Sequence, residues 1–95
     1  MRVISEEKLV TFMKRCVALS AEVILSLEAD ATSPPPPEVA EAWQALVADL
    51  AAERESDAYL QDESWNWIFD GAPPTNSIRL YGRLAWVNLQ LLELI

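Results

Sequence analysis

Apolar residues crowd positions 78–95 so densely that only a narrow arc of that stretch stays polar. With about 100° between successive residues of an α-helix, Arg79, Arg83, Trp86, Gln90 and Glu93 share the arc. Leu80, Tyr81, Leu84, Val87, Leu91, Leu92, Leu94 and Ile95 fill most of the remainder. A helix this apolar is expected to be wrapped by others rather than to lie on a surface. Thr75, Asn76 or Ser77 supplies its N-cap. Gly82 costs about 1 kcal/mol in a helix interior relative to alanine, so it is expected to mark a close crossing with the first helix near Tyr81.

That first helix is predicted over residues 6–28. Ser5 is its N-cap, and Glu6 and Glu7 complement the positive end of the helix dipole. Leu9, Phe12, Met13, Cys16, Val17, Leu19, Val23, Ile24 and Leu27 share a broad apolar face, with Lys8, Thr11, Lys14, Arg15, Ala18 and Glu22 opposite. Pro34-Pro35-Pro36-Pro37 then makes a stiff spacer whose last residues can enter a new helical turn. The second helix, 38–55, carries a narrow seam of Val39, Trp43, Leu46, Val47 and Leu50, as an outer helix does. A third, shorter helix over 58–69 follows a Ser56-Asp57 cap and is ended by Gly71 and Pro73-Pro74. Taken together, the pattern predicts an all-α chain: one domain over residues 1–95, a small helical bundle of three to four helices with an apolar C-terminal helix.

Composition agrees with one domain and narrows the chemistry. Ninety-five residues suffice for a modest core, and the 52% apolar content is slightly high for a soluble domain. There is no histidine, which removes the commonest general base and transition-metal ligand together. No metal site or cofactor is expected. Di-metal bundles need Glu-x-x-His pairs, and the only glycines, Gly71 and Gly82, form no phosphate loop. The lone Cys16, central on an apolar face, reads as a core filler and favours a reducing compartment. Lys14-Arg15 before an apolar run imitates a leader peptide, but Glu6, Glu7 and Glu22 spoil it. No apolar stretch approaches the ~20 residues of a membrane span, so a soluble, cytoplasmic protein is expected.

Charge shifts the picture toward protein partners. The formal net charge is −8, which disfavours nucleic acid and anionic membrane. Residues 34–64 set Arg54 against eight acidic residues, a net of −7. An acidic face suits a partner with a basic surface, and Glu41, Asp49 and Glu53 on the second helix are its candidate contacts. Alternatively the acids only keep a sticky bundle soluble. Tryptophan supplies the other candidates. Trp43 belongs to the seam and reads as core. Trp65, Trp67 and Phe69 cannot all face one core, so at least one ring is part-exposed. Trp86 shares its arc with Arg83, and Trp with Arg is the pairing enriched at interface hot spots; the structural alternative is that Arg83 stacks on Trp86 or that a loop covers the ring. Asn88, amid Tyr81, Leu84, Leu92 and Ile95, needs a hydrogen-bond partner if buried.

The expected function is a non-catalytic acidic protein-binding module acting through Trp86, Arg83, Trp65, Trp67, Glu41, Asp49 and Glu53. Inhibitors of the antitoxin, immunity or phage counter-defence kind have this size and charge, and some occupy surfaces that bind nucleic acid. The alternative is a subunit of a small homo-oligomer that buries the apolar last helix between copies.

Overall fold

The computed structural model describes residues 4–95. It contains α1 (Glu6–Asp30), α2 (Pro37–Glu53), α3 (Asn66–Phe69) and α4 (Ser77–Leu92), with 3-10 turns at Tyr59–Gln61 and Glu63–Trp65 and no strand among the described residues. The all-α bundle is as expected, and its boundaries have local causes. Ser5 Oγ accepts the Lys8 N–H at 3.3 Å, opening α1. α1 continues past the expected end to Asp30, whose Oδ1 accepts the Thr32 hydroxyl at 2.8 Å and the Thr32 N–H at 3.0 Å. Those bonds hold the Asp30 carboxyl below its ordinary range. α2 opens on Pro37, where a missing N–H costs nothing.

The expected single helix over 58–69 is broken. Asp62 is extended (φ −60, ψ 140), and its Oδ1 accepts the Ser64 N–H at 2.9 Å. A short acidic side chain that bonds two residues ahead competes with the helical backbone ladder. The segment therefore folds as two 3-10 turns and one turn of α-helix. Gly71 closes α3 where a Cβ would collide with the Trp67 carbonyl.

Asn76 proves to be the cap of α4, its Oδ1 accepting the Arg79 N–H at 2.9 Å. The first N–H groups of α4 reach back to the end of α1: Ser77 to the Ser33 carbonyl at 3.0 Å and Ile78 to the Ala31 carbonyl at 3.4 Å. The start of α4 thus lies at the finish of α1, and the two run antiparallel. α2 is also antiparallel to α1, as the Arg15–Asp49 and Lys8–Glu53 ion pairs fix, both at 2.8 Å. The core joins Leu9, Phe12, Cys16, Leu19 and Val23 of α1 to Val39, Trp43, Leu46 and Leu50 of α2 and Leu80, Leu84, Val87 and Leu91 of α4. Ile4, Leu60, Trp65 and Ile68 complete it. Cys16 is fully buried, and burial pushes its thiol up to about 11, as suits a core filler rather than a nucleophile.

Two expectations fail here. α4 is not wrapped: Tyr81, Leu89 and Leu92 are exposed, as are Val17 and Ile24 on the supposed core face of α1. Only three long helices exist among the described residues, so α4 is covered by α1 on one side and by the 59–69 segment on another, and its third side stays open to the described residues. Nor does Gly82 mark a helix crossing, since a Cβ there would meet nothing within 4 Å. It lies two residues from Leu80 and Leu84, well round from the face that meets α1. Filling that open space with Gly82→Ala is expected to raise stability by about 0.5–1 kcal/mol in urea unfolding, through helix propensity alone. A destabilised variant would mean that the glycine serves a contact after all.

Candidate functional site

Three surfaces compete for the role of contact site. The first is aromatic. Trp65 is fully buried and lies edge-on to Trp86 at 4.9 Å between ring centroids. Trp86 is half-buried and meets Trp67 edge-on at 5.2 Å. Trp67 is the exposed ring of the three. The Arg83 guanidinium lies 5.7 Å from the Trp67 centroid, so the stacking partner is Trp67 rather than Trp86. Arg83 Nη2 donates to the Ala72 carbonyl at 3.3 Å, while Nη1 is buried without a partner among the described residues. Burial, and then the charge of Arg79, lower the Arg83 pKa. Trp67, Arg79, Gly82, Arg83 and Trp86 thereby line one shallow groove. Of the predicted contact residues, Trp67, Trp86 and Arg83 come together here. Trp65 does not reach the surface; it is the floor on which Trp86 rests.

The second surface is acidic, and it is more committed internally than the sequence suggests. Asp49 accepts from Arg15 and Glu53 from Lys8, each at 2.8 Å. These two acids tie α2 to α1 rather than stand clear of the fold. Exposed pairs of this kind contribute about 0–1 kcal/mol each. Glu41 is exposed and makes no ion pair among the described residues. The acidic candidates therefore split, with Glu41 available to a partner and Asp49 and Glu53 already engaged.

The third surface lies outside the predicted contact residues, although the oligomer alternative pointed to the apolar last helix that forms one of its walls. Along the open side of the α1–α4 pair, Val10, Met13, Lys14, Val17 and Ala18 face Asn88 and Leu92. The same furrow continues past Ala21 and Ile24 to Tyr81, Ala85 and Leu89. Val17 is 60% exposed and Leu89 59%. Among the described residues, Lys14 is the one charged residue lining this furrow. Asn88 lines both of its halves, and its Oδ1, shielded from solvent, has no donor among the described residues. The hydrogen-bond partner that a buried Asn88 was expected to need is not found for Oδ1 among the described residues. The signal for this face was present in the breadth of the apolar arcs on both helices, each wider than the core consumes.

Compared with known proteins, the chain matches no family model, no curated protein and no solved structure. No helix among the described residues is long and apolar enough to cross a membrane. Nor do the described residues bring together three or more His, Cys, Asp or Glu in a metal-binding group.

Proposed function

We propose that this chain is a non-catalytic protein-binding module whose contact surface is the open face of α1 and α4. The observation that carries the reading is the continuous apolar furrow from Val10 and Leu92 to Ile24 and Tyr81. Scattered exposed apolar side chains need no explanation, but a contiguous strip shared by two long helices is the usual mark of an interaction site. Its test is a comparison of wild type with Val17→Glu and Leu89→Glu. Both side chains are largely exposed, so neither change should alter the melting temperature of the isolated fold. Wild type is expected to form a specific protein complex, with itself or with another protein, that both variants lose. Complexes that persist unchanged in the variants, or a wild type that engages no protein, would overturn this reading.

A second reading, an acidic inhibitor of the antitoxin, immunity or phage counter-defence kind that docks on a basic protein surface, is favoured by one observation. Glu38, Glu41, Glu55 and Glu63 are exposed and make no ion pair among the described residues. Steering by these charges acts on association rate and is screened within about 8 Å at physiological salt. Converting Glu38, Glu41 and Glu55 to lysine, which spares Asp49 and Glu53, is then expected to slow association about tenfold or more at low salt. Equal rates at both ionic strengths would remove it.

A further inference from the structure

We infer that the groove of Trp67, Arg79, Gly82, Arg83 and Trp86 is a second contact site, which takes a short, extended, acidic segment of another protein. At about 100° per residue it lies roughly a third of a turn round α4 from the apolar furrow. It therefore goes beyond the reading above and stands or falls separately from it.

Two residues of the groove are unfavourable to the helix that carries them, and no contact within the described residues offsets either. Gly82 weakens a helix interior relative to alanine, yet a Cβ there would meet nothing within 4 Å. Arg79 is the third residue of α4, where the positive end of the helix dipole disfavours a cation. It also stands one helical turn from Arg83, a like-charge spacing that destabilises a helix. Arg83 is held by Trp67 and by the Ala72 carbonyl, but neither arginine makes an ion pair among the described residues. Residues that oppose their local structure without help from packing collect where a surface meets something outside the chain. Bare backbone at Gly82 lets a ligand come close to α4.

Charge and shape select the occupant. No acidic side chain lines the groove among the described residues. Glu93, the one acid in residues 77–93, lies ten residues beyond Arg83, about 15 Å along the helix axis. Two guanidiniums thus make a local positive site on a chain of net charge −8. The acidic remainder repels a polyanion such as nucleic acid, so the match is a carboxylate on an otherwise neutral segment. Small molecules are held in enclosures that bury most of their surface, whereas this groove is shallow and suits a stretch of polypeptide. Exposed Arg79 receives the carboxylate. Trp67 and Trp86, 5.2 Å apart and at 76° to each other, form a corner for an apolar side chain. Arg79 and Trp86 are seven residues apart on α4, about 10 Å along its axis. In a polyproline II segment, residues three apart share a face and are separated by about 9 Å. Such segments dock in aromatic-lined grooves, and an acid three residues from a proline or other apolar residue spans this one.

Selection from a random dodecapeptide display library on the immobilised full chain tests the inference. Enriched peptides are expected to carry an aspartate or glutamate about three residues from a proline or other apolar residue. Synthetic copies of them are expected to bind more weakly as salt rises. Arg79→Glu and Gly82→Leu are each expected to lose at least about tenfold in affinity for those copies. Both should nevertheless melt at or above the wild-type temperature, because glutamate suits a helix N-terminus and leucine is a strong helix former. No enrichment, enriched peptides that lack an acid, or copies that bind both variants like wild type overturn the inference. Copies released by Val17→Glu but not by Arg79→Glu occupy the furrow, which overturns the groove as their site and leaves the reading above standing. Oligothymidylate that binds wild type but not Arg79→Glu, with no peptide enriched, assigns the groove to single-stranded nucleic acid and overturns the peptide.

Discussion

Trp65→Ala is expected to lower stability by about 3–5 kcal/mol, the range for truncating a buried tryptophan, and to shift thermal unfolding by more than 10 °C. Small domains hold only about 5–15 kcal/mol in total, and each kcal/mol moves the midpoint by about 4–8 °C at this size. Trp65 has no exposed surface and packs among three other aromatic rings. Phe69 stacks on it at 5.7 Å, while Tyr59 and Trp86 meet it edge-on at 6.2 Å and 4.9 Å. Each such pair adds about 0.5–1.5 kcal/mol beyond burial. One feature works the other way: Nε1 is buried without an acceptor. Trp65→Phe keeps most ring contacts and removes that orphan donor, so its cost should be far smaller, about 1–2 kcal/mol. Urea and thermal unfolding of the two variants check the pair. An alanine variant melting within a few degrees of wild type would show that the aromatic cluster is not part of the cooperative core.

That result also bears on the surface, because Trp86 and Trp67 owe their positions to Trp65. Trp86 is both half-buried packing and groove wall, so loss of binding in Trp86→Ala cannot by itself be assigned to an interface. Val17 and Leu89 carry no such double role, and the binding tests of the furrow are built on them for that reason.

Local signals carried most of the fold. Ser5, Asn76 and the proline run act within a few residues of themselves, and the ends of α1, α2 and α4 fall within three residues of those the 3.6-residue period predicts. Trp43 followed from the narrow α2 seam. What was hidden depends on which elements meet. Asp49 and Glu53 look like free acids along α2; only the antiparallel register with α1 brings Arg15 and Lys8 against them, 34 and 45 residues away. Trp65 and Trp67 are two residues apart and equally apolar, and tertiary packing alone buries one and exposes the other. The open face was misjudged because apolar breadth was equated with burial. Hydropathy states what a helix would bury given enough neighbours, and this chain supplies too few to enclose α4. The break at Asp62, by contrast, was legible: an aspartate two residues ahead of a serine N–H is a local competitor of the helix, and the periodicity of 58–69 was already poor.

Asp57 was read from the sequence only as part of a local cap, with no sign of its long-range bond, and its removal is the second large effect expected. It is 1% exposed, alone among the acidic side chains of the described residues in being buried. Oδ2 accepts the Ile4 N–H at 2.7 Å and Oδ1 accepts the Tyr59 N–H at 2.8 Å. One side chain thus fastens the residue before the α1 cap to the first 3-10 turn, across 53 positions of sequence. A buried N–H left without an acceptor costs about 1–3 kcal/mol, and the Ile4 donor lies in the core. Asp57→Ala is therefore expected to destabilise by about 2–4 kcal/mol. Asp57→Asn should recover at most half of that, because its amide nitrogen would face one of the two N–H groups donor to donor. Hydrogen exchange gives the site-specific readout: protection at Ile4 and Tyr59 should fall in both variants before the core of α2 is affected. If both variants unfold at the wild-type urea midpoint with those amides still protected, the carboxylate is not what holds the N-terminal approach to the bundle.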